Sequence, residues 1–271
     1  AIISELGIAD RIVRINSIGS GEGAERYLRE LTSFLRKNQH ELSNSQRERF
    51  EMDPLGTFLS ISEKVHTTHS LAPSSMDYLN DDERRHFWDV LEYLELAGKA
   101  YELSPHVVGS SDCWSHTLFE LSAPGKDGEP RVPLALGGRY DALASRSLGP
   151  AAATATVGIM FDLKIPAQIK KSKWKPAAYL AHLGLEAKRH SIPVLEILRQ
   201  ADIPVHHSLV YDQLAPQMAL VKNLNIPWLL IMGHKEALEK TIAVRNVKTN
   251  AQESIPLPDL VAFLNRHPVA V

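Results

Sequence analysis

From Ala177 to Arg266 the chain alternates short apolar runs with amphipathic stretches, and that alternation leaves few folds open. "AAYLAHLG", "IPVHHSLV", "IPWLLIMG" and "KTIAVRNV" read as strands. "AKRHSIPVLEILRQA", "DQLAPQMALVKNL" and "LPDLVAFLNR" read as helices. Strand and helix in such succession imply a mixed, mostly parallel sheet covered by helices. A small α/β domain is therefore expected over 177–271. The tract before it, "QIKKSKWKP" over 168–176, is basic and ends in proline, as interdomain connectors do.

Upstream the pattern differs. Arg11 to Ile15 alternates as a strand and runs into "NSIGSGEG". The stretch "AERYLRELTSFLRKNQHEL" places Tyr27, Leu28, Leu31, Phe34 and Leu35 at helical spacing. Asp81 to Leu96 repeats that signature, with acids at its start and Gly98 just past its end. A polar, irregular region around "LAPSSMDYLN" separates the two. "AYELSP", "SHTLFELSA" and "RVPLAL" then read as strands, the last leading into "GGRYD". Residues 1–167, up to that connector, are expected to form a separate first domain.

Composition bounds the function. Hydrophobic content of 44% suits packed cores, and a net charge of −2 gives no global basic field, so RNA binding would rest on local patches. Cys113 is the single cysteine, which excludes an internal disulfide and suits a reducing compartment. No apolar run approaches the roughly 20 residues that span a bilayer. The first residues lack a signal peptide's basic start and long apolar stretch. A cytoplasmic protein with no membrane partner is expected. The chain opens without methionine and reads like the middle of a protein. His206 and His207 are neighbours on an expected strand, pointing to opposite faces, which argues against a metal site there. "GSGEG" lacks a following Lys-Ser/Thr and is no phosphate loop.

The stretch "LGGRYDALASR", Leu136 to Arg146, raises the sharpest question. Paired glycines let a backbone approach a ligand without a Cβ in the way. Tyr140 adds a flat face with a hydroxyl, and Arg139 with Asp141 can orient one another or bind polar groups. Taken alone, the stretch fits a tight turn with solvated charges equally well.

The run "LALGGRYDALASR" resembles the second histidine-specific signature of histidyl-tRNA synthetases. "ELGIADRIVRINSIGS" resembles that family's strand before its helical insertion. "SMDYLNDDERRHFWDVLEYLELAGKAYELSP" resembles the helix leading to its first signature. "QLAPQMALVKNLNIPWLLIMGHKEALEKTIAVRNVKT" resembles its anticodon-binding domain. The resemblance covers essentially the whole chain in order. It implies an α+β chain: the second half of a class II synthetase antiparallel-sheet catalytic domain, then an α/β anticodon-binding domain. It also implies ATP-dependent activation of histidine, with Mg2+, transfer to tRNA, and a homodimer.

By that resemblance Asp112, Trp114, Gly137, Gly138, Arg139 and Tyr140 are the candidate substrate-binding residues. Tyr140 and Trp114 would flank the imidazole, and the glycines would leave room for the amino acid. The family's first signature carries an arginine where this chain has Gly109, with Ser110 and Ser111 following. Its third motif ends in an arginine, yet no arginine lies between Arg146 and Arg189 here, and Lys164 is the nearest cation and the candidate catalytic residue. Its first two motifs are absent. The chain alone is therefore expected not to activate histidine. In the C-terminal domain Gln213, Gln217, Glu236 and Arg245 are the candidates for reading single-stranded bases; taken singly, each fits an ordinary helix-surface or strand-end residue somewhat better. The alternative to a divergent ligase is a non-catalytic synthetase-like protein that binds tRNA or regulates a partner.

Overall fold

The computed structural model describes residues 10–62, 71–109, 112–124, 132–149, 156–161 and 175–267. Backbone contacts divide the chain into two compact units. The first comprises Ala1–Glu92 and Lys99–Pro166, and the second Tyr93–Gly98 and Ala167–Val271.

The first unit is built on a five-stranded sheet of order β2-β1-β3-β4-β5, from β1 (Ile12–Ser17), β2 (Tyr101–Leu103), β3 (Ser115–Ala123), β4 (Val132–Arg139) and β5 (Val157–Phe161). Three of its four pairings are antiparallel, and β1 with β2 is parallel. Helix α1 (Gly21–Lys37) buries Tyr27, Leu31 and Leu35, one residue per turn along a single stripe. With α3 (Pro54–Ser62), it encloses a core that also takes in Leu118 of β3 and Leu136 of β4. Helix α2 (Asn44–Arg49) has no apolar residue and is defined by a capping box between Ser43 and Gln46. Helix α4 (Asp81–Leu96) buries Glu83, Phe87 and Leu91 at the same four-residue spacing. The Glu83 carboxylate accepts from the amides of Ser20 and Asn80, joining α4 to the entry of α1. Helix α5 (Asp141–Leu148) follows β4 after one residue.

The second unit has a five-stranded sheet of order β10-β9-β8-β6-β7: β6 (Ala178–His182), β7 (Val205–His207), β8 (Trp228–Met232), β9 (Thr241–Asn246) and β10 (Gln252–Pro256). Its face bearing Ala178, Leu180, Leu230 and Met232 is covered by α6 (Leu185–Gln200), α8 (His234–Glu239) and α9 (Leu260–Arg266). The opposite face, with Tyr179, Ala181, Leu229 and Ile231, packs on α7 (Leu214–Asn223). Both faces of β6 and β8 are thus buried, which is why these strands are continuous apolar runs.

Gly137 and Gly138 lie inside β4, paired with β3 and β5, which excludes the tight turn that the stretch taken alone also fitted. Two expectations change. The C-terminal sheet is half parallel, because β9 and β10 form an antiparallel hairpin beside β8. The strand expected over Ile203–Val210 shortens to Val205–His207.

Candidate functional site

The glycines of β4 are bare because protein, and not open space, lies beside them. A Cβ on Gly137 would fall 2.5 Å from Phe119 Cζ and 2.7 Å from the Gly158 carbonyl oxygen. One on Gly138 would fall 2.5 Å from the Thr117 carbonyl oxygen. At both Cβ positions the nearest atoms belong to β3 and β5. The Tyr140 ring rests on Gly158, and its amide donates to the Thr156 carbonyl at 3.0 Å.

Arg139 and Asp141 orient one another through a short ion pair. The Asp141 carboxylate also accepts from the Thr156 amide at 2.7 Å and its hydroxyl at 3.3 Å. Burial would raise the Asp141 pKa, but donation from Arg139 and Thr156 outweighs it and holds the carboxyl below its ordinary value. Arg139 Nη1 lies 3.2 Å from His86 Nε2. Burial first, and the guanidinium second, lower the His86 pKa. His86 is then a neutral acceptor for Arg139. His116 meets His86 edge to face at 5.7 Å, turned there by a left-handed φ of 53° at an irregularity in β3. Neither histidine was marked in the sequence, since their meeting joins α4 to β3 across 30 residues.

Trp114 has other neighbours. Its ring lies against Gly109, where a Cβ would fall 2.5 Å from Trp114 Cδ1 and 3.1 Å from Leu118 Cδ2. An arginine at position 109 would overlap the indole. The space beside Gly109, bounded by Ile18, Tyr27, Leu28 and Leu55, is about 10 Å³, room for one water at most. Asp112 is exposed. Lys164, Ser110, Ser111 and the connector residues 168–174 lie outside the described residues.

In the second unit the four candidate base-reading residues separate. Gln217 is fully buried, which corrects its assignment to an RNA-facing surface. Its amide nitrogen donates to the carbonyls of His182 at 2.9 Å and Gln213 at 3.0 Å, and its oxygen accepts from the His182 amide at 3.4 Å. It ties β6 to α7. The signal was present: Gln217 stands one turn before Val221 on the buried face of that helix. Glu236 is engaged too, its carboxylate accepting from the Gly233 amide at 3.0 Å to cap α8. Gln213 is exposed at the N-cap of α7. Arg245 is half-buried on β9, donating to Asn250 at 3.0 Å beside a hairpin turn that exposes Lys248, Thr249 and Asn250. Asn246 accepts from the amides of Lys248 and Thr249 and holds that turn.

His182 is 1% exposed, with Nε2 3.5 Å from the Asp212 carboxylate. Burial chiefly, then Lys188, lower its pKa, so it is neutral near pH 7. His206 stacks on Tyr179 at 5.5 Å. A groove of about 600 Å³ opens at the amino ends of β6 to β8, lined by Pro204, Pro227, Trp228 and His267, none of them marked in the sequence. Among the described residues no group of three or more His, Cys, Asp or Glu could hold a metal ion. Among the same residues no helix is long and apolar enough to cross a membrane.

Residues 183–267 match the family model for the anticodon binding domain. The histidine–tRNA ligase of Bacillus licheniformis is 28% identical over 97% of this chain and 63% of its own length. That of Picosynechococcus is 28% identical over 97% of this chain and 62% of its own. The crystal structure of apo Staphylococcus aureus histidyl-tRNA synthetase aligns with a TM-score of 0.44 and 24% identity, covering 97% of this chain and 66% of that one. The likeness is to the C-terminal part of class II histidyl-tRNA synthetases, and the chain spans about 63% of the length of the curated relatives it matches.

Proposed function

We propose that this chain acts on histidine tRNA and that its second unit holds the anticodon loop. The observation that carries this reading is the anticodon-binding match over 183–267, laid on a unit whose β9–β10 hairpin offers Arg245 and exposes Lys248. Unpaired loop bases are read by guanidinium and amide edges and by stacking on rings, and phosphates by cations. In this reading the whole reaction is that of a cytoplasmic, homodimeric histidine–tRNA ligase, with histidine and Mg2+-bound ATP as substrates. Among the described residues Arg139 is engaged by Asp141 and His86, and Arg14 by Glu102 and Glu120.

Arg245→Ala should weaken binding of histidine tRNA by about 1–3 kcal/mol at fixed salt, the cost of losing one guanidinium contact to a base edge. Filter-binding titrations with matched circular dichroism spectra check this. Unchanged affinity would remove Arg245 from the interface.

One observation favours a second reading, in which the chain binds tRNA without activating histidine. The Trp114 ring stands where a side chain at position 109 would begin, 2.5 Å from a Cβ there, so the cation of the family's first signature has no counterpart at that place.

A further inference from the structure

Segment 208–213 follows β7 at the carboxyl ends of the parallel strands β6 and β7. There the chain passes to one side of β6 and then returns on the other to form β8. Such a reversal of strand order opens a crevice where α/β sheets bind ligands. The segment turns apolar and aromatic surface outward: Leu209 is 49%, Val210 80% and Tyr211 38% exposed. Contiguous apolar surface left outside a core marks an interaction site.

The first turn of α6 and the end of β6 hold this segment in place. Lys188 Nζ donates to the Leu209 carbonyl at 2.6 Å and stands 3.8 Å from the Asp212 carboxylate. The Gly184 amide donates to the Asp212 carbonyl at 3.3 Å, and His182 Nε2 approaches the same carboxylate. The Lys188 ammonium, with its side chain 25% exposed, is turned onto the segment. Gln213 closes it as the N-cap of α7.

We infer that Lys188 is a positioning residue that latches segment 208–213, so that the Tyr211 ring and the Gln213 amide are presented to an unstacked base of bound single-stranded RNA. The inference rests on the tRNA-binding reading above. The chemistry is that of stacking platforms: a phenol ring accepts any base face, and an amide reads its edge. Lys188 contributes through the backbone it holds and not through a phosphate.

Salt dependence separates those two roles. Filter binding of a histidine tRNA transcript across a potassium chloride series should show Lys188→Met about tenfold weaker than wild type at every salt concentration, the loss expected when one base is no longer stacked. The slope of log affinity against log salt should match wild type. Tyr211→Ala should show the same loss, and the double variant should be no weaker than either single one. A slope reduced by about one in Lys188→Met would make Lys188 a phosphate contact and overturn the latch. Additive losses in the double variant, or an unchanged affinity of Lys188→Met, would overturn it as well. Failure of the wild-type chain to bind would overturn the tRNA reading itself, and this role with it.

Discussion

Gly138→Ala is expected to destabilise the first unit by about 3 kcal/mol, the upper end of what overpacking costs. The new methyl would lie 2.5 Å from the Thr117 carbonyl oxygen and 3.1 Å from Leu118 Cα. Both are backbone atoms of β3, whose other edge is fixed by pairing with β1 from Thr117 to Ser122. Neither can move without pulling on that ladder. At Gly109, by contrast, the nearest atom belongs to a Trp114 side chain, which can rotate. Urea unfolding followed by far-ultraviolet circular dichroism measures the difference. A wild-type midpoint for Gly138→Ala would mean that β3 and β4 do not pack as described.

Gln217→Ala should cost about 3 kcal/mol, the sum of a small cavity and of stranded backbone groups. Its side chain serves both the amide and the carbonyl of His182, on a strand whose five residues are all buried. Water cannot replace it without opening the interface between β6 and α7. The expected signature is a lowered unfolding midpoint with unchanged RNA affinity in the folded protein. A drop in affinity at an unchanged midpoint would return Gln217 to the RNA surface.

Much of the fold was legible because it is written in local periodicity. The stripe of Tyr27, Leu31 and Leu35 made α1 visible, the acids and Gly98 bounded α4, and uninterrupted apolar runs disclosed β6 and β8. Strand β10 was hidden because it is an edge strand. Gln252, Glu253 and Ser254 face solvent, and Ile255 alone in it is buried. Helix α2 was hidden because polar NSQRER has no stripe to read.

The candidate site was less legible, since its meaning lies in contacts distant along the chain. "GGRYD" has the composition of a ligand-supporting strand. Whether its glycines face a substrate or Phe119 and Thr117 depends on pairing between segments 20 residues apart. The partners of Arg139 show the same limit: Asp141 was within local reach, but His86 comes from α4. Gln213 and Gln217 show it in reverse. Two amides four residues apart look alike as letters, yet one stands exposed at the N-cap position and the other is buried beneath the helix.

The account turns on the second unit meeting the anticodon loop, and crosslinking tests that most directly. A histidine tRNA transcript with 4-thiouridine in its anticodon loop would be irradiated with the intact chain, and the linked peptides mapped by mass spectrometry. The account predicts crosslinks within residues 183–267, concentrated on segment 208–213 and the β9–β10 hairpin, and lost on competition with unmodified histidine tRNA. Crosslinks confined to residues 10–161, or insensitive to that competitor, would contradict it.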